Sequence, residues 1–360
     1  MQERELEDML AVLPPLLSSL DALGFLARHL TPGTFGEAAA AIGRPQDGLR
    51  LALPRLQAWP EALAGARAAL EGAGAETLAA FDELDALLSD GGDLRGVYRA
   101  LRHAPRAQEA LWPLASGLAP VSRFFLPPDQ RGDEALLERL AAGAEREDVG
   151  LAHVDEGPGS RGGFSLYVPE TYTPERAAPL IFALHGGGGN GRSFVWSWLR
   201  EARGRGAILV APTAVGDTWA IAGEDADTPN LNRILAFVRA RWTVDADRLL
   251  LTGMSDGGTF SYVSGLEPGS PFTHLAPVAA AFHPMLAGMA DAERLAGLPI
   301  HIVHGVHDWM FPVSMAQEAA QTLAAAGAAV TYREIGDLSH TYPREMNSEI
   351  LDWLDLTLRR

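Results

Sequence analysis

RLLLTGMSDGGTFSYV, residues Arg248–Val263, joins an apolar run to a glycine-rich turn and to a segment that can continue as a helix. Short, continuously apolar runs such as Leu249–Leu251 are typical of buried strands. Ser255 lies in a Gly-x-Ser-x-Gly pattern, in which Gly253 and Gly257 lack the Cβ atoms that would collide in a sharp strand-to-helix turn. The pattern predicts a nucleophilic serine above a strand end, although a plain glycine-rich turn with an incidental serine is the alternative.

A second glycine-rich loop lies upstream, where Leu180–Leu184 leads into HGGGGN, residues His185–Asn190. Such a loop after a strand allows backbone N–H groups to approach an anionic oxygen. The second donor to that oxygen would be the N–H of Asp256, the residue after the serine. A plain turn and a phosphate-binding loop are the alternatives, but the chain contains no lysine and this loop does not match Gly-x-Gly-x-x-Gly.

A nucleophilic serine needs a base, and the base needs an orienting carboxylate. Downstream of the serine, the predicted strand Ile300–Val303 is followed by HGVHDWMFP, which contains Asp308. The predicted strand Val330–Ile335 is followed by DLSHTYP, which contains His340. The sequence therefore presents a serine, an aspartate and a histidine in that order, each just after a strand, which is the triad order of α/β-hydrolases.

Residues from about 160 to 356 resemble α/β-hydrolase serine esterases, in particular the bacterial polyhydroxybutyrate-depolymerase, feruloyl-esterase and phospholipase/carboxylesterase-like group. The resemblance rests on four ordered motifs, which are the loop at 185–190, the segment 244–258, the segment 304–312 and the late His340. It implies an α/β-hydrolase fold, with a mostly parallel sheet flanked by helices.

The resemblance also implies hydrolysis of carboxylic esters without a cofactor. Ser255 would be the nucleophile, His340 the general base and acid, and Asp308 the residue that orients the base. The N–H groups of Gly187 and Asp256 would bind the oxyanion. The carboxylate of Asp256 is a departure, because this position is often neutral in such enzymes.

The motifs leave the substrate open among short-chain esters, aromatic esters, polyesters and phospholipids, whether small or polymeric. A peptidase or an acyltransferase would use the same triad. A binding module with a relict site is a further alternative, but a relict site would tolerate the loss of at least one triad residue.

Four further residues are predicted to contact substrate because they lie in or near loops that follow predicted strands. They are Gly188, Trp219, His283 and Trp309. Three of them have a plainer alternative: a core position for Trp219, a structural histidine at 283, and packing beside the acid for Trp309.

The spacing of His301, His304 and His307 next to Asp308 suggests a metal site. Residues i and i+3 of a strand point to opposite faces, so these side chains cannot converge unless the chain turns. We therefore predict no metal.

The chain changes in pattern near residue 145, and we predict a helical accessory domain or lid at 1–145 and a hydrolase domain at 146–360. Up to about residue 142, apolar residues recur every three or four positions, which indicates five or six amphipathic helices. Within this part, residues 120–132 resemble an extended connector, and the pair Pro14-Pro15 interrupts an apolar run. From about residue 150, short apolar runs alternate with helical segments, which is typical of a parallel sheet. The pair Thr228-Pro229 resembles a helix N-terminus.

Composition excludes several kinds of chemistry. The 360 residues include 29 Lys+Arg, all of them arginine, and no cysteine. Schiff-base lysines, thiolate nucleophiles and cysteine-ligated metals are therefore absent. The net charge of −17 disfavours nucleic acid and anionic membranes as partners. We also expect no transmembrane segment, a cytoplasmic location, and a possible homo-oligomer formed through the helical region.

Overall fold

The computed structural model describes residues 3–91, 93–155, 157 and 160–357. The chain divides into two compact units, Met1–Leu137 and Glu138–Arg360. The sequence prediction placed this division between residues 145 and 146.

The first unit is helical, as the three- and four-residue spacing of its apolar side chains predicts. Its α-helices are α1 (Glu3–His29), α2 (Phe35–Ile42), α3 (Gln46–Ala52), α4 (Ala64–Asp90), α5 (Leu94–Leu101), α6 (His103–Leu111) and α7 (Ala119–Phe124), and the division between the units falls within α8 (Glu134–Gly143).

Apolar side chains from four of these helices share one core in the first unit. They are Leu23 and Leu26 from α1, Leu30 directly after it, Ala38 from α2, Ala80, Phe81 and Leu84 from α4, and Val97 and Ala100 from α5. Helix α1 continues through Pro14 and Pro15, so the prediction that these prolines interrupt it is wrong. Packing of its apolar face outweighs the hydrogen bonds that proline removes.

The predicted extended connector at 120–132 is also wrong. Residues 119–124 form α7, and residues 128–130 form a turn of 3₁₀ helix. Phe125 and Leu126 are fully buried. The prolines around this segment suggested an extended chain, but burial of its apolar side chains favours a short helix instead.

One helix of the described chain, α1, is long and apolar enough to cross a membrane by length and composition alone. The sequence analysis did not expect such a segment. In the structure 44% of its most apolar window is buried.

The second unit is built on an eight-stranded sheet. Its strands are β1 (Gly150–Val154), β2 (Phe164–Val168), β3 (Ala178–Leu184), β4 (Ile208–Pro212), β5 (Val244–Met254), β6 (His274–Val278), β7 (Pro299–Gly305) and β8 (Ala329–Ile335). Their order is β1-β2-β4-β3-β5-β6-β7-β8. All neighbouring strands from β4 to β8 in this order are parallel. At the other edge, β1 pairs antiparallel with β2, and β2 pairs antiparallel with β4. The prediction of a mostly parallel sheet is confirmed.

The sequence predicts strands at residues 164–168, 180–184, 207–211, 248–252, 275–280, 300–303 and 330–335. These match β2 to β8, and the one strand missed is β1. Its five residues are half-buried or exposed, whereas β2 beside it is fully buried. An edge strand needs no continuous apolar run, so β1 leaves a weaker pattern in the sequence than a central strand does.

Eight α-helices in the described part of the second unit follow α8. They are α9 (Gly191–Phe194), α10 (Leu199–Arg205), α11 (Asp227–Arg239), α12 (Asp256–Gly265), α13 (Met285–Met289), α14 (Ala292–Leu295), α15 (Val313–Ala325) and α16 (Met346–Thr357). Thr228 is not the N-cap of α11, which begins one residue earlier. Instead, the carboxylate of Asp225 accepts hydrogen bonds from the N–H groups of Asp227 and Thr228.

Candidate active site

Ser255 lies in the sharp turn between β5 and α12. Its backbone has φ 56° and ψ −120°, a left-handed conformation that is costly for a residue with a side chain. A Cβ at Gly253 would lie 2.5 Å from the carbonyl carbon of Gly257, and a Cβ at Gly257 would lie 2.5 Å from the carbonyl oxygen of His185. Both glycines of the motif are therefore required for close packing of the turn.

The structure brings Ser255, His340 and Asp308 together at the carboxyl edge of the sheet. Nε2 of His340 is 3.0 Å from Oγ of Ser255, and its Nδ1 is 2.8 Å from Oδ2 of Asp308. All three side chains are buried. In this geometry His340 can accept the serine proton at Nε2 while Asp308 accepts a hydrogen bond from Nδ1–H.

The carboxylate of Asp308 is held on both oxygens. Oδ1 accepts hydrogen bonds from the N–H groups of Met310 and Phe311 at 2.9 and 2.8 Å. Burial alone would raise the pKa of Asp308, but the hydrogen bonds from His340 and from the Phe311 N–H outweigh it and lower that pKa below its ordinary value. The group is therefore charged near neutral pH and able to orient the histidine.

Two aromatic rings from the segment after β7 pack edge-on against the ring of His340. The centroid of Phe311 lies 5.3 Å from that of His340, and the centroid of Trp309 lies 6.1 Å away. These contacts restrict the tilt of the imidazole, whose two nitrogens already bond to the serine and the aspartate.

The main-chain groups expected to bind an oxyanion lie beside the serine. Asp256 is the first residue of α12, so its N–H has no carbonyl one turn earlier within the helix. The Asp256 carboxylate accepts a hydrogen bond from Oγ1 of Thr218 at 2.6 Å. A Cβ at Gly187 would lie 2.7 Å from Oδ2 of Asp256, so a larger residue at 187 would collide with this carboxylate.

His185, at the start of the glycine-rich loop, has a structural role. Its Nδ1 lies 2.7 Å from the carbonyl oxygen of Gly186, and its Nε2 accepts a hydrogen bond from the Ala214 N–H at 3.1 Å. Burial lowers the pKa of His185 to about 4. The ring is therefore neutral near pH 7 and fixes the shape of the loop.

The segment after β4, residues 213–226, which we call the β4–α11 loop, holds both parts of this oxyanion region. Thr218 bonds to Asp256, and the indole N–H of Trp219 donates to the carbonyl oxygen of His185 at 2.7 Å. The loop is in turn fixed by Asp227, whose buried carboxylate accepts hydrogen bonds from the N–H groups of Val215 and Ala220 at 2.7 and 2.8 Å.

Sequence analysis missed Thr218 and Asp227 in this arrangement. Neither belongs to a motif, because their partners are distant in sequence or are main-chain groups. The available signal was the carboxylate of Asp227 directly before the pair Thr228-Pro229, and the sequence analysis considered only that pair, as a helix N-terminus.

The four residues predicted to contact substrate lie in different environments. Trp309 is 47% exposed and lies next to His340. Gly188 has φ 65° with open space where a Cβ would lie, and His283 is exposed, its Nδ1 accepting the Met285 N–H. Trp219 is 2% exposed and stacks on Phe260. Its burial does not fit the prediction that Trp219 contacts substrate directly. Its indole N–H instead holds the glycine-rich loop in place.

The histidines on and after β7 diverge. His301 packs on Trp353 with ring centroids 5.2 Å apart, whereas Nε2 of His304 bonds to the carbonyl oxygen of Phe311 at 2.8 Å. His307 is exposed. Within the described residues, no group of three or more histidine or carboxylate side chains is arranged to hold a metal ion.

Comparison with known proteins agrees with this geometry. Residues 225–358 match the phospholipase/carboxylesterase family. The second unit is an α/β-hydrolase domain. The chain is 28% identical over 170 residues to feruloyl esterase C of Emericella nidulans and 31% identical over 171 residues to a probable feruloyl esterase C of Aspergillus oryzae. The predicted resemblance to esterases of this fold is confirmed.

Each of these matches covers 45% of this chain and 60% of the feruloyl esterase, so the chain spans about three fifths of the length of these relatives. The crystal structure of a thermostable esterase covers 58% of this chain and 63% of its own length, with 20% identity and a TM-score of 0.46.

Proposed function

We propose that the chain hydrolyses carboxylic esters through an acyl-enzyme formed on Ser255. The observation that carries this proposal is the continuous hydrogen-bonded series from Ser255 Oγ through His340 to Asp308. The series begins at a serine held in a strained turn at the carboxyl edge of the sheet.

In the acylation step, Oγ of Ser255 attacks the ester carbonyl while Nε2 of His340 removes the serine proton. The carbonyl oxygen becomes an oxyanion, which the N–H groups of Gly187 and Asp256 stabilise. Collapse of this intermediate breaks the bond to the alcohol. The imidazolium returns its proton to the departing alkoxide, so the alcohol leaves neutral and the acyl group remains on the serine.

In the deacylation step, water takes the place of the alcohol. His340 removes a proton from the water as its oxygen attacks the acyl carbon. The second tetrahedral intermediate then breaks its bond to Oγ of Ser255, and the histidine returns the proton to that oxygen. The products are a carboxylic acid and the free enzyme, and Asp308 keeps its charge throughout.

The relatives support an ester as substrate. Two are feruloyl esterases, and a bifunctional acetylxylan esterase/xylanase of Neocallimastix patriciarum is 29% identical over 147 residues, which covers 40% of this chain and 21% of that protein. An ester also requires no group beyond the triad and the oxyanion donors.

Labelling with a fluorophosphonate tests the nucleophile. We expect wild type to gain one phosphonyl group and Ser255→Ala to gain none, as measured by intact-protein mass spectrometry. Ser314→Ala, which removes an exposed serine hydroxyl at the start of α15, should label as wild type does. Equal labelling of Ser255→Ala and wild type would overturn the assignment.

Reaction class is tested with p-nitrophenyl acetate, a peptide p-nitroanilide, and the ester in the presence of a competing alcohol. We expect release of acetate and nitrophenol from the ester and no cleavage of the anilide. Predominant transfer of the acyl group to the alcohol would identify an acyltransferase instead.

A further inference from the structure

The glycine-rich loop after β3 contains a tight turn. The Gly189 N–H donates to the carbonyl oxygen of Gly186 at 3.0 Å, which closes a β-turn around Gly187. Gly187 carries one of the two N–H groups proposed to bind the oxyanion, so the position of that group depends on how the turn is held. His185 contacts the Gly186 carbonyl at the start of the turn. The carbonyl oxygen of Gly189, at the end of the turn, accepts a hydrogen bond from Arg161.

The side chain of Arg161, which lies just before β2, bridges this turn to the β4–α11 loop. Its Nη1 donates to the carbonyl oxygen of Gly189 at 3.0 Å, and its Nε donates to that of Gly216 at 2.7 Å. Nη2 donates to the same Gly216 oxygen. Among the described residues, all hydrogen bonds of this side chain go to main-chain carbonyl groups of the two loops. A planar guanidinium can bind both loops at once because its donors point in fixed directions.

The β4–α11 loop leads on to the second oxyanion donor. Two residues after Gly216, Oγ1 of Thr218 donates to the carboxylate of Asp256 at 2.6 Å, and Asp256 carries the other N–H proposed to bind the oxyanion. The two donor residues lie close together, since a Cβ at Gly187 would lie 2.7 Å from Oδ2 of Asp256. Arg161 therefore connects the segment that carries one donor to the segment that supports the other.

The main chain next to Arg161 is itself anchored. The Gly162 N–H donates to the carbonyl oxygen of Ala214 at 3.3 Å. The carbonyl oxygen of Gly162 accepts hydrogen bonds from the side chains of Asn230 and Arg233 on α11, both at 3.0 Å. The guanidinium thus extends from a fixed point, which allows it to hold both loops in place.

We propose that Arg161 is a positioning residue that sets the separation between the N–H groups of Gly187 and Asp256. The inference rests on the proposed ester hydrolysis and adds to it a residue that touches neither the triad nor the substrate. Without the bridge the two loops move independently, and the N–H groups meet the oxyanion of the transition state in poorer geometry. Binding of the uncharged ester depends much less on these two groups.

Two substitutions separate the bridge from the charge. Arg161→Lys keeps the charge but loses the planar group that binds both oxygens, and Arg161→Gln loses both. We expect each change to lower kcat on p-nitrophenyl acetate about tenfold or more and to leave KM within about twofold.

An oxyanion mimic gives a second measurement. In phenyl trifluoromethyl ketone the carbonyl carbon bonds to Oγ of Ser255, His340 takes the serine proton, and the carbonyl oxygen becomes an oxyanion. The inhibition constant of this ketone should rise by the same factor by which kcat falls, because both depend on the oxyanion donors.

Arg294→Gln is the matched control. Arg294 also donates to two main-chain carbonyl oxygens, those of Gly265 and Phe272, but it does so at the opposite edge of the sheet, where β6 begins. This change should lower the melting temperature and leave kcat and the inhibition constant unchanged.

All variants are compared at one temperature, well below the lowest melting temperature of the set, and Arg161→Lys carries the test if Arg161→Gln does not fold. Wild-type values of kcat and of the inhibition constant in Arg161→Lys would overturn the inference. So would a loss of activity that appears only as a raised KM. Failure of the proposed function is seen separately, as a wild type that does not hydrolyse the dissolved ester.

Discussion

Asp308 is the triad residue whose contribution depends most on its charge. Its carboxylate accepts the hydrogen bond from Nδ1 of His340 and so fixes which nitrogen faces Ser255. In Asp308→Asn an amide of nearly the same shape can donate to Nδ1 instead, which stabilises the wrong tautomer. We expect kcat on p-nitrophenyl acetate to fall by about 10⁴-fold, the loss typical of this change in a Ser–His–Asp site.

The control for this variant is Asp352→Asn, which removes a carboxylate that pairs with Arg205 at the surface. It should leave kcat unchanged. A loss of less than about tenfold in Asp308→Asn would show that the histidine is oriented by other contacts, such as the edge-on rings of Trp309 and Phe311.

The convergence of Ser255, His340 and Asp308 could be predicted from sequence because each lies in a short local motif just after a strand. His304 shows the limit of such patterns. In the sequence it belongs to a group of histidines spaced like metal ligands. In the structure, Nε2 of His304 bonds to the Phe311 carbonyl oxygen and lies 3.5 Å from Oδ2 of Asp308. This role depends on how the segment after β7 turns back on its own strand, which residue spacing does not specify.

At the scale of elements, the β4–α11 loop supports the residues proposed to bind the oxyanion, through bonds from Thr218 and Trp219 to Asp256 and His185. Asp227 holds that loop through two backbone N–H groups, those of Val215 and Ala220, and touches no triad residue. In Asp227→Asn one of these N–H groups faces an amide NH₂ and loses its acceptor. The loop then shifts, and its bonds through Thr218 and Trp219 carry the shift to the oxyanion region.

We expect kcat of Asp227→Asn to fall about tenfold to a hundredfold, because small displacements of transition-state donors are costly. KM should change much less, since the loss concerns the transition state alone. Asp245→Asn is a matched control at the opposite edge of the sheet, where Asp245 accepts hydrogen bonds from the Asp247 N–H and from Arg248. Unchanged kcat in Asp227→Asn with a lowered melting temperature would mean that Asp227 only stabilises the fold.

The sequence predicts a helix or strand more reliably when that element is deeply buried. The central strands β3 to β7 lie in the core and carry apolar runs, so their positions follow from the sequence. Edge strand β1, helix α7 and the start of α11 were missed, because none of the three carries a distinctive local pattern in the sequence. In the structure, Phe125 and Leu126 directly after α7 are buried, and the start of α11 bonds to the carboxylate of Asp225.

At the scale of the whole molecule, buried titratable groups make stability depend on pH. Burial lowers the pKa of His185, His274 and His301 to about 4 in the folded chain, from an ordinary value of 6.5. Between these values the unfolded chain binds more protons, so these groups stabilise the fold above pH 6.5 and this stability is lost as the pH falls towards 4. Glu201 has the opposite sign, since burial raises its pKa to about 7 from 4.5, and its contribution is lost as the pH rises through 7. Among these four groups the three histidines contribute more than the one glutamate, so their combined contribution to the free energy of unfolding should fall between pH 6.5 and pH 5.

His301 provides the sharpest test of this balance. It is 1% exposed, neither of its ring nitrogens has a hydrogen-bond partner, and its ring packs on Trp353. In His301→Leu the site keeps an apolar side chain of comparable size and loses one group that is protonated only on unfolding. The free energy of unfolding, measured with urea at pH 5, 6 and 7, should therefore depend less steeply on pH, by up to about 1.4 kcal/mol per pH unit.

Ile300→Val, on the same strand, should lower stability by the same amount at all three pH values, because a cavity does not titrate. If His301→Leu also shifts all three values equally, His301 takes up no additional proton on unfolding, and the acid sensitivity of the fold must come from the other buried groups.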